Sequence, residues 1–390
     1  MKQHWLLDPD ITFLNHGSFG ATPIAVLAKQ DEFRTRLERE PVRFMIRELE
    51  ALLDGARAQL GEFVGADPAG IAFIPNATYG INSVVRSLDL DKNEEIVVTA
   101  HEYNATRNVA EFAAQLAGAR VVVAEVPFPI ASPDEVFGRI IEKISDRTRL
   151  VILDHVTSQT ALVMPIARII DEVQSRGIDV LVDGAHAPGM LPLDLRALDA
   201  AYYTANLHKW VCAPKGAAFL YVRENRRASV RPIAISHGAN SSRTDRSRFH
   251  LEFDWTGTFD PTPWLCVPEA LRTLASFVEG GWPEIMRRNH ALALRGRDII
   301  AKRFGVSPPA PDAMIGSMAA FRIPDGSALT TSALDTDPLQ DALLFEFKIE
   351  VPIMPWPYPP KRTLRVSAQL YNEVADYERL GGALTGLLGD

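Results

Sequence analysis

The sequence predicts an α/β protein: a mostly parallel sheet of seven strands covered by helices, followed by a smaller α+β domain. Three observations carry that reading. Short β-branched runs alternate with helical patterns between about residues 70 and 225, and such alternation places helical crossovers between parallel strands. The alternation stops after Trp264, where longer helical stretches take over. The chain has 390 residues, 47% of them hydrophobic, which exceeds the usual core of one domain.

An amphipathic segment comes first. Ile46, Leu49, Leu52, Leu53, Ala56, Leu60 and Phe63 fall at helical spacing and form one apolar stripe. The expected strands are 71–74, 96–99, 120–126, 150–154, 179–183, 201–204 and 217–222. Between them, 105–117 and 133–144 carry apolar residues at helical spacing. Beyond Trp264, helices are expected over roughly 264–280 and 282–303, and a proline-rich turn near 307–311. A strand at 318–323, a helix at 337–347, a strand at 364–367 and a last helix complete the chain. The expected division is 1–262 for the N-terminal segment and large domain, and 263–390 for the small domain.

Composition removes several function classes. The net charge is −8 and the basic residues are scattered, so no face is suited to nucleic-acid phosphates. No apolar run approaches the roughly 20 residues of a membrane span. Met1-Lys2-Gln3-His4-Trp5 lacks the apolar core of a signal peptide. Cys212 and Cys266 are the two cysteines, too few for a disulfide framework and without metal-ligand spacing. A cytoplasmic protein without a metal site is expected.

Three motifs carry chemistry. In Ile74-Pro75-Asn76-Ala77-Thr78, an apolar strand ends in a polar turn and a helical pattern follows. A helix N-terminus suits a phosphate, although Asn76 or Thr78 acting as a plain cap explains the same residues. In Val182-Asp183-Gly184-Ala185-His186, an acid ends a buried strand where doubly wound sheets bind ligands. Asp183 there suits a protonated pyridine nitrogen, or merely caps the next turn. In Asn206-Leu207-His208-Lys209-Trp210, one of only nine lysines lies between two apolar strands. A desolvated lysine becomes an amine nucleophile; the competing reading is a lysine snorkelling at a sheet edge. Taken together, in this order and each at the end of an expected strand, the three motifs outweigh three unrelated structural explanations. The 26 residues from Asp183 to Lys209 leave room for one strand between them.

With these motifs in place, the sequence resembles the class V aminotransferase family of fold-type I pyridoxal-phosphate (PLP) enzymes. Within it the chain is similar to the isopenicillin N epimerase-like branch. The resemblance runs from Phe13-Leu14-Asn15-His16-Gly17 to Leu364-Arg365-Val366-Ser367. It implies PLP as cofactor, Lys209 as the Schiff-base lysine and Asp183 as the partner of the pyridine nitrogen. It places His186 beside the cofactor's 3′-oxygen or ring, and Tyr103 on the ring face. Asn76, Ala77, Thr78, Asn206 and His208 match phosphate-binding positions, and Ser158 matches a polar position beside the cofactor. Arg365 matches the arginine that forks onto the substrate carboxylate, with His16 also toward the substrate. Thr258, in Trp255-Thr256-Gly257-Thr258, matches a loop that reaches the neighbouring subunit's phosphate, so a homodimer with shared sites is implied.

Chemistry common to the group begins with loss of the α-proton; three fates follow. Epimerisation needs a second acid, for which Tyr103, His16 and His237 are the candidates. Elimination of a β-sulfur group and transamination are the other two, with transamination the less favoured. Cysteine desulfurase chemistry is disfavoured, because 351–362, ahead of Arg365, contains no cysteine. That proline-rich stretch, with Trp356 and Tyr358, is expected to wall the substrate side-chain pocket. A DNA-binding regulator built on the same fold is disfavoured too, since Asn15-His16-Gly17 leaves little chain ahead of it for a winged helix.

Overall fold

The computed structural model describes residues 1–326 and 335–389. Its strands are β1 (Thr12–Phe13), β2 (Ile71–Ile74), β3 (Glu95–Thr99), β4 (Arg120–Ala124), β5 (Thr148–Asp154) and β6 (Asp179–Asp183). They continue as β7 (Tyr202–Asn206), β8 (Ala218–Val222), β9 (Met318–Ile323), β10 (Ile349–Glu350), β11 (Ile353–Pro355) and β12 (Arg362–Ser367). Seven of them form one sheet in the order β2-β8-β7-β6-β5-β3-β4. β8 runs antiparallel to both neighbours, and the other pairings are parallel. Each expected strand of this sheet lies within two residues of the observed one.

The sheet is buried on both sides, which explains why its strands read as continuous apolar runs. Val97, Val151, Val180 and Val182 belong to one core, whereas Val98, Ile152 and Leu181 belong to the core on the opposite face. Each such side chain contributes about 1.5–3 kcal/mol by leaving water. Among the parallel strands, β2, β3, β5, β6 and β7 point the same way, so their carboxyl ends line one rim. That rim carries Asn76, Glu102, Asp154, Asp183 and Asn206.

Beyond the sheet, β11-β12-β9 form an antiparallel sheet backed by helices Gly281–Phe304 and Val374–Leu388. The N-terminal segment is stitched to this part of the chain. β1 pairs with β10, Ser367 N–H donates to the Leu14 carbonyl at 3.0 Å, and His16 N–H donates to Ser367 Oγ at 2.8 Å. These bonds draw the turn Asn15–Gly20 beneath the rim. No helix among the described residues is long and apolar enough to cross a membrane.

One expected core residue falls outside. Ile46 is 66% exposed, while Phe44 is 1% exposed. Residues Phe44–Glu48 form a π-helical turn before the helix Leu49–Val64. The wider turn shifts the helical phase, so the apolar stripe continues back through Phe44 rather than Ile46.

Candidate active site

Lys209 follows β7 in a turn held by Cys212 N–H donating to its carbonyl at 3.1 Å. Its Nζ lies 3.1 Å from His186 Nε2. Burial, reinforced by the nearby Arg365 charge, draws the amine from 10.5 down to about 7. Trp210 Nε1 faces His186 Nδ1 at 3.4 Å. An indole N–H only donates, so it favours Nδ1 as the acceptor and places the neutral ring's proton on Nε2. That proton points at Lys209, which receives it as a neutral amine.

Asp183 closes β6 and is 3% exposed. Its Oδ1 accepts from Ala185 N–H at 3.0 Å and its Oδ2 from the Thr106 hydroxyl at 3.2 Å. Burial pushes this carboxyl upward while the neighbouring Lys209 opposes the shift. Glu102 and Asp154 are buried beside it, and one oxygen of each of the three lies within 4.8 Å of the others. Sequence reasoning missed both. A signal existed for Asp154, which ends β5 in register with Asp183.

Arg365 on β12 is 2% exposed. Its Nη1 donates to the Ser158 carbonyl at 2.7 Å and faces Ser158 Oγ at 3.4 Å; Nη2 donates to Ser18 Oγ at 3.0 Å. No carboxylate among the described residues pairs with it. A buried guanidinium held only by neutral acceptors is prepared for an anion from outside. Gly17 makes room for it, since a Cβ there would stand 2.5 Å from Met318 Sδ and 3.3 Å from Arg365 Nη2. Gly20 has φ +70°, and a Cβ would stand 2.2 Å from the His208 carbonyl, so only glycine fits.

In the turn after β2, the cap and the expected phosphate-binding positions share residues. Asn76 caps the helix Ala77–Val85 by accepting from Tyr79 N–H at 2.9 Å. Asn206 Oδ1 accepts from Ala77 N–H at 2.9 Å, tying β7 to that helix. Both side-chain oxygens are therefore engaged within the protein. Thr78 is half-buried, and its hydroxyl takes part in no hydrogen bond among the described residues. His208 Nδ1 donates to the Ala217 carbonyl at 3.1 Å, and burial with the neighbouring Lys209 draws its ring down to about 4.

Other expected residues lie around this cluster. His16 is fully buried: Nδ1 lies 2.7 Å from the Tyr371 hydroxyl and Nε2 3.0 Å from the Lys209 carbonyl. Burial draws it down to about 3, and as a neutral ring it holds the lysine turn through the Lys209 carbonyl, with its ring 4.9 Å from that of Trp210. Ser158 stands against Arg365, not against the lysine. Tyr103 is 43% exposed at the start of helix Asn104–Ala117. Thr258 is exposed and bonded to none of the site residues, and His237 lies in an exposed turn. Trp356 is turned inward, 6% exposed, against His101 and Phe128, leaving Tyr358 of the proline-rich stretch 62% exposed. Trp356 thus braces that stretch from within.

Residues 14–331 match the family model described as aminotransferase class-V. The chain belongs to the class V aminotransferase family. Among its relatives, isopenicillin N epimerase of Amycolatopsis lactamdurans is 37% identical over 397 residues, covering 98% of this chain and 96% of that one. A probable chloroplastic L-cysteine desulfhydrase of Arabidopsis thaliana is 31% identical over 404 residues, covering 98% and 84%. In structure, a C-DES mutant with glycine covalently linked to the PLP cofactor superposes with a TM-score of 0.79 at 21% identity, covering 98% of each chain. The last likeness establishes the fold of this family member, a fold-type I architecture with a small antiparallel second sheet.

Proposed function

We propose that this chain is a PLP-dependent enzyme working at the α-carbon of an amino acid. It removes the α-proton and then either returns it on the opposite face or releases a sulfur group from Cβ. One observation carries the reading: a desolvated Lys209 amine, drawn down to about 7, beside the buried acid Asp183 and the unpaired buried cation Arg365. The donor set fits PLP. An amine meets the aldehyde, an acid meets the ring nitrogen, and a helix N-terminus with a free Thr78 hydroxyl meets the phosphate.

Bound there, PLP supplies a protonated ring that takes up the electron pair left when a bond to Cα breaks. The chain's own side chains do the rest. Asp183 keeps the ring nitrogen protonated by its charge. Lys209 would hold the cofactor's aldehyde as a neutral amine and would serve as the base for the α-proton. His186, oriented by Trp210, would offer its Nε2 proton to the cofactor. Arg365 would fork onto the α-carboxylate, and Tyr103 would cover the ring. Thr258 is assigned to the neighbouring subunit's phosphate in a homodimer.

Both epimerisation and elimination have a specific support. Epimerisation rests on the likeness to isopenicillin N epimerases at 33% and 37% identity. Elimination rests on the desulfhydrase relatives and on both ring nitrogens of His16, a candidate second acid, being engaged within the protein. Persulfide chemistry is set aside, since burial pushes both Cys212 and Cys266 up to about 12 and keeps them protonated thiols.

The test is an NMR time course of the PLP-loaded enzyme in D2O with amino acids, cysteine S-conjugates and their sulfoxides. Deuterium at Cα with loss of optical purity and no pyruvate identifies an epimerase. Pyruvate, ammonia and a sulfur fragment identify a lyase. Formation of a keto acid with the amino group retained on the cofactor overturns both.

A further inference from the structure

Behind Asp183 lies a pair of carboxyls that the proposed chemistry does not use. Glu102 leaves the turn between β3 and helix Asn104–Ala117, and Asp154 ends β5 alongside Asp183. Exposure is 6% for Glu102 and 3% each for Asp154 and Asp183. Asp183 has donors for both oxygens. By contrast, both oxygens of Glu102 and Oδ2 of Asp154 have no hydrogen-bond partner, an arrangement that buried carboxylates avoid.

The charged and titratable groups around the cluster do not supply what is missing. Arg107, from the helix, favours charge on Glu102 but is engaged with Glu111 at 2.6 Å. Lys209 acts on Asp154 and Asp183 from the β7 side, yet its Nζ is engaged with His186. The Tyr203 hydroxyl, near Asp183, lies 2.8 Å from His155 Nδ1. The Tyr103 N–H favours charge on both Glu102 and Asp154, which does not offset their burial. Three adjacent buried carboxyls, with Arg107 and Lys209 both engaged elsewhere, cannot all be ionised.

We propose that Glu102 and Asp154 are positioning residues, which stand as neutral carboxylic acids whose O–H groups bridge the cluster and keep Asp183 its single anion. Protons on these two acids turn three orphaned acceptors into donor–acceptor pairs. Donation toward Asp183 stabilises its charge, and so its hold on the pyridine nitrogen. This rests on the assignment of Asp183 to that nitrogen made above.

Infrared spectroscopy tests the protonation directly. Both cofactor-free and PLP-loaded wild-type enzyme at neutral pH should show a protonated carboxylic-acid carbonyl band that shifts in D2O. Glu102→Gln or Asp154→Asn should each remove part of that band and leave the carboxylate bands unchanged. Visible titration of the lysine-bound cofactor adds a second reading. The neutral amides should leave its midpoint in place, whereas removing a buried anion moves it by about one pH unit or more. Glu102→Leu, which offers no donor, should move it, and Glu102→Gln should restore it. The proposal is overturned by absence of the acid band in wild type, by loss of a carboxylate band in the amide variants, or by a stoichiometric metal ion in the purified enzyme. Failure of the underlying assignment reads differently: Asp183→Asn would leave the cofactor's spectrum and turnover unchanged, with the acid band intact.

Discussion

Replacing Arg365 by methionine should lower catalysis steeply while leaving the protein about as stable. Burial pulls the guanidinium from 12.5 down to about 10, which corresponds to about 3 kcal/mol against the buried charge. Against this stand hydrogen bonds from the charged guanidinium to neutral acceptors on Ser158 and Ser18, worth roughly 1.5 kcal/mol each at the low end for a charged donor. Methionine fills similar volume without a charge, so the opposing contributions nearly cancel and the free enzyme should stay within about 2 kcal/mol of wild type. With substrate bound the balance inverts. Two charge-assisted hydrogen bonds to a carboxylate are worth roughly 1.5–3 kcal/mol each, which amounts to about 10²–10⁴ in kcat/KM. The assay compares kcat/KM for an amino acid and for the matching amine without its carboxylate, alongside thermal melting and the cofactor's absorbance. Only the amino acid should lose. A fall in stability of about 3–5 kcal/mol, the signature of a broken buried ion pair, together with an unchanged substrate ratio, refutes the reasoning.

Three further outcomes are expected. Lys209→Ala should abolish the borohydride-trappable link between protein and PLP; a surviving link places it on another lysine. The rate at which cofactor-free enzyme takes up PLP should rise with pH through about 7 and then level, because the neutral amine attacks and its proton leaves near that value. An ordinary lysine would keep accelerating towards 10.5, and that profile would remove the claim of desolvation. For the shared site, Thr258→Asp and Lys209→Ala enzymes should each be inactive, and mixing refolded subunits should restore activity through one intact site per mixed dimer. No recovery, despite mixed dimers shown by mass, places Thr258 outside the neighbour's phosphate site.

The sheet was legible because burial on both faces leaves a periodicity that survives in one dimension: 71–74 and 179–183 match the observed strands to the residue. Lys209, Asp183 and His186 were legible for a related reason, since the ends of neighbouring parallel strands share a rim. Ile46 was misplaced because a π-turn has no period of its own to read. His16 shows a different limit. Its neighbours Asn15 and Gly17 mark it as part of a site, but only the fold reveals that both its nitrogens face Tyr371 and the Lys209 carbonyl. Glu102 was hidden because a lone acid in a turn looks solvated, and its burial comes from β5, β6 and helix Asn104–Ala117 meeting over it.

The shared machinery does not decide the fate of the reaction; the groups around it do. On the proposed reading, Lys209, Asp183 and Arg365 would serve epimerisation and elimination equally, because both would begin with the same proton removed by the same amine. Epimerisation needs a second acid across the ring from Lys209. His16 is neutral and engaged at both ring nitrogens, which disfavours it as the proton donor. His237 lies on an exposed turn of its own chain, and a contribution from it requires a partner subunit. Tyr103 remains within the chain, adjoining the carboxyl cluster and near Arg365. Tyr103→Phe therefore separates the reactions. It keeps the aromatic cover but removes the hydroxyl, so an epimerase should lose the typical 10²–10⁴-fold of a general acid, and a lyase should keep its elimination rate within a few fold. Racemisation surviving in Tyr103→Phe at the wild-type rate assigns the second proton to the neighbouring subunit.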